Sequence, residues 1–191
     1  MTKAPVRVAV LISGTGSNMR ALVEGAGDAY AVALVLSNKA EAPGLAWAAE
    51  RGIPTIALPH APYGKDRQAH EAAIDDALRN HAIQVVALAG YMRVLTPWLV
   101  GRWSGRMLNI HPSLLPKYPG LDTHRRAIEA GDAEAGCTVH LVSEGVDEGP
   151  VLDQAHVPVM AGDTPETLAA RVLEAEHRLY PQALAAFCAG L

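Results

Sequence analysis

Short apolar runs alternate along the chain with segments whose apolar residues recur every three or four positions. A run that is apolar at nearly every position is typical of a strand buried on both faces, whereas the longer spacing is typical of an amphipathic helix. The apolar runs predict seven strands, at residues 6–12, 32–36, 54–58, 84–89, 106–110, 137–142 and 151–157. The periodic segments and their capping residues predict helices at residues 18–24, 42–51, 65–81, 97–103 and 123–130, and a last one from Pro165. Pro181 lies inside this last helix and predicts a kink or a break there.

The order of these elements predicts an α/β fold. Strands and helices alternate up to about residue 104, which is typical of a doubly wound parallel sheet with helices on both faces. The last two strands form a hairpin-like pair, so we expect the sheet to become mixed toward the C-terminal half. The prediction is a Rossmann-like, mostly parallel seven-stranded sheet in a single domain, residues 1–191, with a functional seam near residue 105.

Composition excludes several classes of protein. Hydrophobic residues make up 50% of the chain, which is too many for a disordered protein. The net charge of −4 argues against a basic nucleic-acid platform. The longest apolar run is far shorter than the roughly 20 residues of a membrane span, and the first run is too short for a signal peptide. Two cysteines are too few for a disulfide framework, so we expect a cytoplasmic protein with no nucleic-acid and no membrane partner.

A glycine-rich turn, residues 14–18, connects the first predicted strand to the first predicted helix. Glycines allow the backbone to approach an anion, and a helix N-terminus presents free N–H groups to it. The dinucleotide fingerprint requires a third glycine where this chain has Met19, and the Walker pattern requires a Lys followed by Ser or Thr after the second glycine. A single phosphate, as on a ribose 5-phosphate, fits the turn better. The alternative is an ordinary turn that binds nothing.

Asn109 and His111 lie two positions apart at the end of the fifth predicted strand. Residues at this spacing point to the same side of a strand, and ligands of open α/β sheets bind beyond the carboxyl ends of strands. An amide donor beside an imidazole can polarise a carbonyl group and exchange protons with it. The alternative is a buried, hydrogen-bonded histidine held by the turn at Pro112.

Asp147 lies in an acidic loop between the last two predicted strands. If it turns inward to meet His111, its carboxylate favours the charged imidazolium. The alternative is a solvated acidic loop, and spacing alone leaves both open. None of the common metal-ligand spacings is present, and His111, His140 and Asp147 could form a metal site only through the fold, so we predict no metal.

Six segments together resemble the phosphoribosylglycinamide formyltransferases, folate-dependent enzymes of purine synthesis. They are residues 12–18 (ISGTGSN), 88–95 (LAGYMRVL), 109–116 (NIHPSLLP), 136–140 (GCTVH), 145–150 (GVDEGP) and 174–177 (EAEH). The resemblance covers nearly the whole chain. The block at 109–116 with its downstream Asp-x-Gly-Pro indicates folate-dependent formyl transfer, and the glycine turn indicates the glycinamide ribonucleotide branch. The relatives also make Leu115–Pro116 a candidate cis peptide bond.

The resemblance implies a reaction and a set of catalytic residues. The amino group of glycinamide ribonucleotide attacks the formyl carbon of 10-formyltetrahydrofolate, and tetrahydrofolate leaves. Asn109 and protonated His111 would stabilise the oxyanion that develops. Asp147 would keep His111 charged and help to move the amine proton. No metal is implied, and the oligomeric state stays open.

The resemblance also implies which residues bind the two substrates. The glycinamide ribonucleotide would contact the phosphate turn and two residues beyond it: Gly14, Thr15, Gly16, Ser17, Asn18, Pro112 and Glu176. The reduced folate would contact a segment of the first half together with catalytic residues: Arg67, Met92, Arg93, Val94, Leu95, Asn109 and Asp147. Residues 1–104 would then form a phosphate- and nucleotide-binding half, and residues 105–191 a catalytic and folate-binding half.

Four other functions compete with this interpretation. An initiator methionyl-tRNA formyltransferase would normally add a C-terminal domain and a basic surface, and a formyl-folate deformylase an N-terminal regulatory domain, for which this chain has no room. A catalytically silent nucleotide-binding module would be expected to lack Asn109, His111 or Asp147, and the chain has all three. A metal-dependent hydrolase is the most distant alternative.

Overall fold

The alternation of strands and helices builds one continuous sheet in a computed structural model, which describes residues 4–191; residues 1–3 of the predicted domain lie outside the described residues. The seven predicted strands are confirmed, with bounds that differ by a few residues. They are β1 (Val6–Ile12), β2 (Tyr30–Ser37), β3 (Thr55–Ala57), β4 (Val85–Leu88), β5 (Met107–His111), β6 (Glu134–Leu141) and β7 (Val151–Pro158).

The six predicted helices are also present. They are α1 (Ser17–Glu24), α2 (Pro43–Ala49), α3 (Arg67–Asn80), α4 (Pro97–Arg102), α5 (Thr123–Glu129) and α6 (Pro165–Ala189). A short 3₁₀ turn, Ala61–Tyr63, precedes α3 and was not predicted. Among the described residues, no helix combines the length and the apolar character needed to cross a bilayer.

The sheet has the order β3-β2-β1-β4-β5-β6-β7. Strands β1 to β5 run parallel to one another, whereas β6 pairs antiparallel with both β5 and β7. The predicted mixed sheet is therefore confirmed, and β5 is the strand at which the direction changes. Because β6 is antiparallel to β5, it begins beside the carboxyl end of β5, where Thr138 lies opposite His111, and it ends near the amino end, where Leu141 lies opposite Leu108.

Helices cover both faces of the sheet, as predicted. Along β1, Val8 and Val10 pack with α1, α2, α5 and α6, whereas Ala9 and Leu11 pack with α3 and α4. This alternation follows from the opposite directions of successive side chains in a strand. Both faces of β1 are thus buried, which explains why its sequence is a continuous apolar run.

Of the predicted kink or break at Pro181, the break is wrong, because α6 continues to Ala189, while the kink stays a prediction. A proline removes one hydrogen bond from a helix and costs about 3 kcal/mol. The surrounding turns of α6 offset this cost, since Tyr180, Ala183 and Leu184 are buried against the sheet. The proline ring also fits against Gly25, where an added Cβ would lie 2.6 Å from the Cβ of Pro181.

Candidate active site

The glycine turn lies between the end of β1 and the start of α1 and borders a cavity of about 230 Å³. Gly16 adopts a left-handed conformation, with φ of 71°, and an added Cβ would lie 2.8 Å from Cε of Met19. A glycine is therefore required at this position. No side chain caps α1, so the N–H groups of its first turn are available to a ligand at the cavity. All five predicted phosphate residues line this cavity: Gly14, Thr15, Gly16, Ser17 and Asn18.

Glu176 reaches the turn from α6. Its Oε2 accepts a 2.7 Å hydrogen bond from Nδ2 of Asn18, although the two residues are far apart in sequence. Burial raises the pKa of Glu176, and the bond from Asn18 only partly opposes this shift. The other amide atom of Asn18, Oδ1, is buried and has no hydrogen-bond partner among residues 4–191. The pair therefore offers unused acceptor capacity beside the turn.

Asn109 and His111 lie at the carboxyl end of β5, opposite two residues of β6. Asn109 pairs with His140 in register, and His111 pairs with Thr138. Nδ2 of Asn109 lies 3.4 Å from Nε2 of His140, which can accept a hydrogen bond from it. The neighbouring strand therefore orients the amide of Asn109.

The structure brings His111 and Asp147 together. Nδ1 of His111 lies 3.3 Å from Oδ2 of Asp147, and Nε2 of His111 lies 2.9 Å from the carbonyl oxygen of Tyr118. A carbonyl and a carboxylate can only accept, so both ring nitrogens of His111 face hydrogen-bond acceptors. The same Oδ2 also accepts a 2.9 Å hydrogen bond from the backbone N–H of Gly120.

His140 completes this group of side chains. Burial lowers the pKa of His140, and the Leu141 carbonyl and the Asp147 carboxylate oppose that shift without cancelling it. A neutral ring that donates from Nδ1 to the Leu141 carbonyl, at 3.0 Å, leaves Nε2 as an acceptor. That atom also lies 3.7 Å from Oδ1 of Asp147. His140 therefore acts here as an acceptor for Asn109 rather than as a second charge.

A second cavity, of about 350 Å³, contains this group at one end. Six of the seven predicted folate residues line it, together with His111: Met92, Arg93, Val94, Leu95, Asn109 and Asp147. Apolar side chains at its rim are strongly exposed, with Met92 at 76%, Val94 at 66% and Leu121 at 84%. Exposed apolar groups clustered at a cavity indicate a binding surface. Met92 lines both this cavity and the one at the glycine turn.

Three predicted residues do not line the cavity expected for them. Pro112 borders a small enclosed space beside Tyr118 instead of the glycine turn. Arg67 is exposed at the start of α3, outside the second cavity, and donates from Nη2 to the Val94 carbonyl in its wall. Glu176 lines neither cavity and reaches the first one only through Asn18. Their predicted contacts with substrate stay predictions.

Several groups that surround His111 and Asp147 could not be predicted from the sequence. The Tyr118 carbonyl and the Gly120 N–H act through the backbone, so their residue types carry no signal. Thr138 and His140 lie two positions apart on β6, opposite His111 and Asn109 of β5. This spacing is a sequence signal that would have indicated that their side chains point to the same side of the sheet. In the part of the chain that the structure describes, no group of three or more His, Cys, Asp or Glu side chains is arranged to hold a metal ion.

A mostly parallel sheet with a glycine turn at its first βα junction and an Asn-x-His strand end beside an inward-facing aspartate is typical of a class of group-transfer enzymes. The family described as formyl transferase matches residues 6–184, and the chain belongs to this family.

Relatives within the family are similar over nearly the whole chain. The phosphoribosylglycinamide formyltransferase of Escherichia coli (strain K12) is 45% identical over 188 residues, which cover 97% of this chain and 88% of that protein. The crystal structure of phosphoribosylglycinamide formyltransferase from Brucella melitensis has 53% sequence identity and a TM-score of 0.92, and the match covers 98% of this chain and 97% of that one.

Other relatives are much longer. The trifunctional purine biosynthetic protein adenosine-3 of Bos taurus is 48% identical over 187 residues, which cover 96% of this chain but 18% of that protein. The corresponding share of the Drosophila pseudoobscura pseudoobscura protein is 14%. The chain thus matches one part of these multifunctional proteins.

Proposed function

We propose that this protein transfers the formyl group of 10-formyltetrahydrofolate to the amino group of glycinamide ribonucleotide, in de novo purine biosynthesis. The products are formylglycinamide ribonucleotide and tetrahydrofolate. The observation that carries the proposal is that two cavities share a wall at Met92, one with a phosphate-type turn and one with the Asn109, His111 and Asp147 group. The cytoplasmic setting expected from the sequence is part of the same proposal.

The ribonucleotide would bind at the turn through its phosphate. The unpaired N–H groups at the start of α1 and the side chains of Ser17 and Asn18 are suited to an anion. The buried carboxylate of Glu176 and the free Oδ1 of Asn18 are suited to hydroxyl or amine donors of the same ligand. We include Pro112 in this site on the resemblance alone.

The folate would occupy the second cavity. Its apolar rim fits a flat aromatic ring, and residues 92–95 lie outside any helix or strand, so their backbone groups beyond the bonds to Ser13 and Arg67 suit the polar edge of such a ring. Arg67 is bonded to the Val94 carbonyl in the wall of this cavity, where a cation suits an acidic tail. The cavity volume of about 350 Å³ is within the range of about 300–1,000 Å³ that small-molecule sites occupy.

The chemistry requires a bond from the amine nitrogen to the formyl carbon to form while the bond from that carbon to the folate nitrogen breaks. The amine proton is passed on, so that the leaving nitrogen regains a proton. Asn109, held by His140, donates a hydrogen bond to the formyl oxygen. The charge of His111, sustained by Asp147, stabilises the negative charge that develops there, and Asp147 accepts and returns the proton.

The 3.3 Å distance between His111 and Asp147 suits this role. A fully formed bond between charged groups is shorter, at about 2.7–2.9 Å, and catalytic hydrogen bonds are often long before the substrate binds.

The predicted division of the chain near residue 105 into a nucleotide-binding half and a catalytic, folate-binding half is part of the proposal in a modified form. The glycine turn belongs to the first half, and the catalytic residues belong to the second. The folate cavity nevertheless uses both halves, because residues 92–95 help to line it. The cavity at the glycine turn is lined by the first half alone, and Glu176 of the second half contacts its Asn18.

The test is release of tetrahydrofolate from 10-formyltetrahydrofolate, measured with glycinamide ribonucleotide present and then omitted. Release that requires the ribonucleotide, with formylglycinamide ribonucleotide appearing in equal amount, supports transfer. Release without it indicates hydrolysis and contradicts the proposal. Asn109→Ala should abolish most of the activity, while Asn80→Ala, at an exposed asparagine at the end of α3, is the matched control.

A further inference from the structure

We propose that Ser13 couples the two cavities, so that binding at the glycine turn strengthens binding in the cavity that contains His111. Ser13 is a positioning residue in this proposal and touches neither ligand's reacting atoms. The inference rests on the proposed function for the identity of the two ligands, but the coupling itself rests on the geometry around the Ser13 hydroxyl.

The Ser13 hydroxyl connects the segments that follow three strands, β1, β2 and β4, at the edge of the sheet where both cavities lie. Ser13 directly follows β1 and is 5% exposed. Its Oγ donates a 2.6 Å hydrogen bond to Oδ1 of Asn38, which directly follows β2 and is itself buried. The same Oγ accepts a 2.8 Å hydrogen bond from the backbone N–H of Met92, which lies beyond the end of β4. Because the hydroxyl hydrogen of Ser13 points to Asn38, a lone pair of Oγ is left to accept from the N–H of Met92.

Met92 is the residue that the two cavities share, and its segment has no helix or strand of its own. Residues 91–96 are instead held by side chains from other elements. Arg67 donates to the Val94 carbonyl, and Glu71 accepts from the backbone N–H of Thr96 at 2.8 Å. Both of these come from α3, whereas Ser13 adjoins the glycine turn. The Ser13 bond therefore connects the wall of the folate cavity to the phosphate site.

This connection makes the two binding events dependent on each other. An anion bound by the N–H groups of the turn fixes the backbone next to Ser13, and the fixed hydroxyl then restricts Met92. A ligand that needs Met92 and its neighbours in one conformation loses less freedom on binding once they are already restricted. Coupling of this kind is reciprocal, so each ligand raises the affinity of the other by the same factor. One hydrogen bond can support a factor of about 2–10.

The experiment measures the dissociation constant of tetrahydrofolate with and without saturating glycinamide ribonucleotide. This pair cannot react, because tetrahydrofolate carries no formyl group. For the wild type we expect binding to tighten by about 2–10-fold when the ribonucleotide is present. In Ser13→Ala the ratio should fall to about one. Ser37→Ala is the matched control, because Ser37 is a fully buried serine at the end of β2 whose Oγ accepts only a local bond from the N–H of Lys39, and it should keep the wild-type ratio.

Amide exchange at Met92 provides a second readout, which a general loss of stability would not reproduce. In the wild type the ribonucleotide should slow exchange at this amide, and in Ser13→Ala it should not. Asn38→Ala removes the acceptor that orients the hydroxyl and should also lower the ratio, so the inference stays testable if Ser13→Ala does not fold. A wild-type ratio of one, or a full ratio in either variant, overturns the inference.

The proposed function fails on a different result. A wild type that binds both ligands with coupling but forms no formylglycinamide ribonucleotide contradicts the transferase and leaves the role of Ser13 intact. A wild type that binds neither ligand overturns both.

Discussion

Tyr118 and Asp147 share an unusual backbone conformation, with φ of 55° in each. This left-handed region is unfavourable for residues other than glycine, and for a bulky residue such as tyrosine in particular. Strain of this kind persists only where the surroundings enforce it, and it often accompanies function. Here the two residues supply the two acceptors that flank the imidazole of His111. The strained backbone therefore places a hydrogen-bond acceptor at each ring nitrogen of His111.

Asp147→Asn tests the charge without changing the shape of the loop, because asparagine also tolerates the left-handed conformation. Without the carboxylate, the imidazolium of His111 loses its counter-charge. We expect turnover to fall by about 10²–10⁴ and the binding of both substrates to change far less. Steady-state rates measure this effect, with Glu148→Gln in the same loop as the control. In combination with His111→Asn, the loss should be much smaller than the product of the single losses. Multiplicative losses would indicate that Asp147 only shapes the loop.

The buried carboxylate of Glu176 predicts a pH dependence of ribonucleotide binding that exposed carboxylates nearby would not produce. Burial raises its pKa above the usual glutamate range, so the carboxylate that is expected to accept from the ribonucleotide is lost earlier on acidification. We expect the affinity for glycinamide ribonucleotide to weaken as the pH falls through this raised pKa, and Glu176→Gln to remove that part of the pH profile. Glu174→Gln, at an exposed position on the same helix, should keep it. Titration of the ribonucleotide itself is common to all three proteins, so identical profiles would contradict the role of Glu176.

At the scale of elements, α3 holds the wall of the cavity that contains His111 and the helix that follows this wall, α4. Glu71 binds Thr96 at the start of α4, and Asp75, one turn further along, binds the far end of α4. Both carboxylates are buried. The wall, residues 92–95, is held at one end by the bond from Ser13 and at the other end by these two attachments of α4. The contacts explain how a segment without regular structure keeps a defined position.

Asp75→Asn should destabilise the contact between α3 and α4 in a pH-dependent way. Burial alone would raise the pKa of Asp75, but hydrogen bonds from Arg102, Arg79 and Trp103 lower it below the usual range. A lowered folded-state pKa contributes stability above the unfolded value of about 3.9, and this contribution is lost as the pH falls through the folded-state pKa. We expect a loss of about 1.5–3 kcal/mol at pH 7 that shrinks below about pH 4.

Denaturant unfolding of Asp75→Asn across this pH range checks the expectation. Asp76→Asn is the control, because Asp76 is the exposed neighbour on the same helix. A deficit for Asp75→Asn that is the same at pH 3 and pH 7 would show that its charge does not contribute.

The sequence predicts elements well where one signal dominates. The continuous apolar run of β1 follows from burial on both faces, and Thr164 with Pro165 marks the start of α6 through its cap. The first residues of β6, beginning at Glu134, were missed because they are polar or small, and only pairing with β7 makes them a strand. Pro181 does not end α6, because the neighbouring turns are buried in the core, which a local helix-breaking signal does not reveal.

The same limit applies to the site. Asn109 and His111 could be predicted because both follow from one local spacing on one strand. The contact of His111 with Asp147 could not, since it depends on how the loop after β6 folds back toward the carboxyl end of β5. The hydroxyl of Ser13 carries no signal of its own, because its partners come from the ends of two other strands.

At the scale of the whole molecule, the two cavities lie together because the carboxyl ends of β1, β4 and β5 share one edge of the sheet. The glycine turn follows β1, Met92 lies beyond β4, and His111 ends β5. Strand β6 begins at this edge but ends opposite Leu108, so the loop between β6 and β7 has to fold back for Asp147 to reach His111. The fold thus places both cavities and the groups between them at one edge of the sheet.

The exposure of Met92 makes this enzyme vulnerable to oxidants at the wall between its two cavities. A methionine that is 76% exposed is open to peroxide, and its sulfoxide is polar and chiral. We expect mild peroxide to weaken tetrahydrofolate binding in proportion to oxidation at Met92, measured by peptide mass and by the dissociation constant. Met92→Leu should resist, whereas Met160→Leu, which removes a 52% exposed methionine elsewhere, should not. If peroxide weakened tetrahydrofolate binding equally in the two variants, oxidation of Met92 would not be the cause. A sulfoxide reductase should restore binding, so the same thioether that forms the shared wall would make the enzyme reversibly sensitive to oxidative stress.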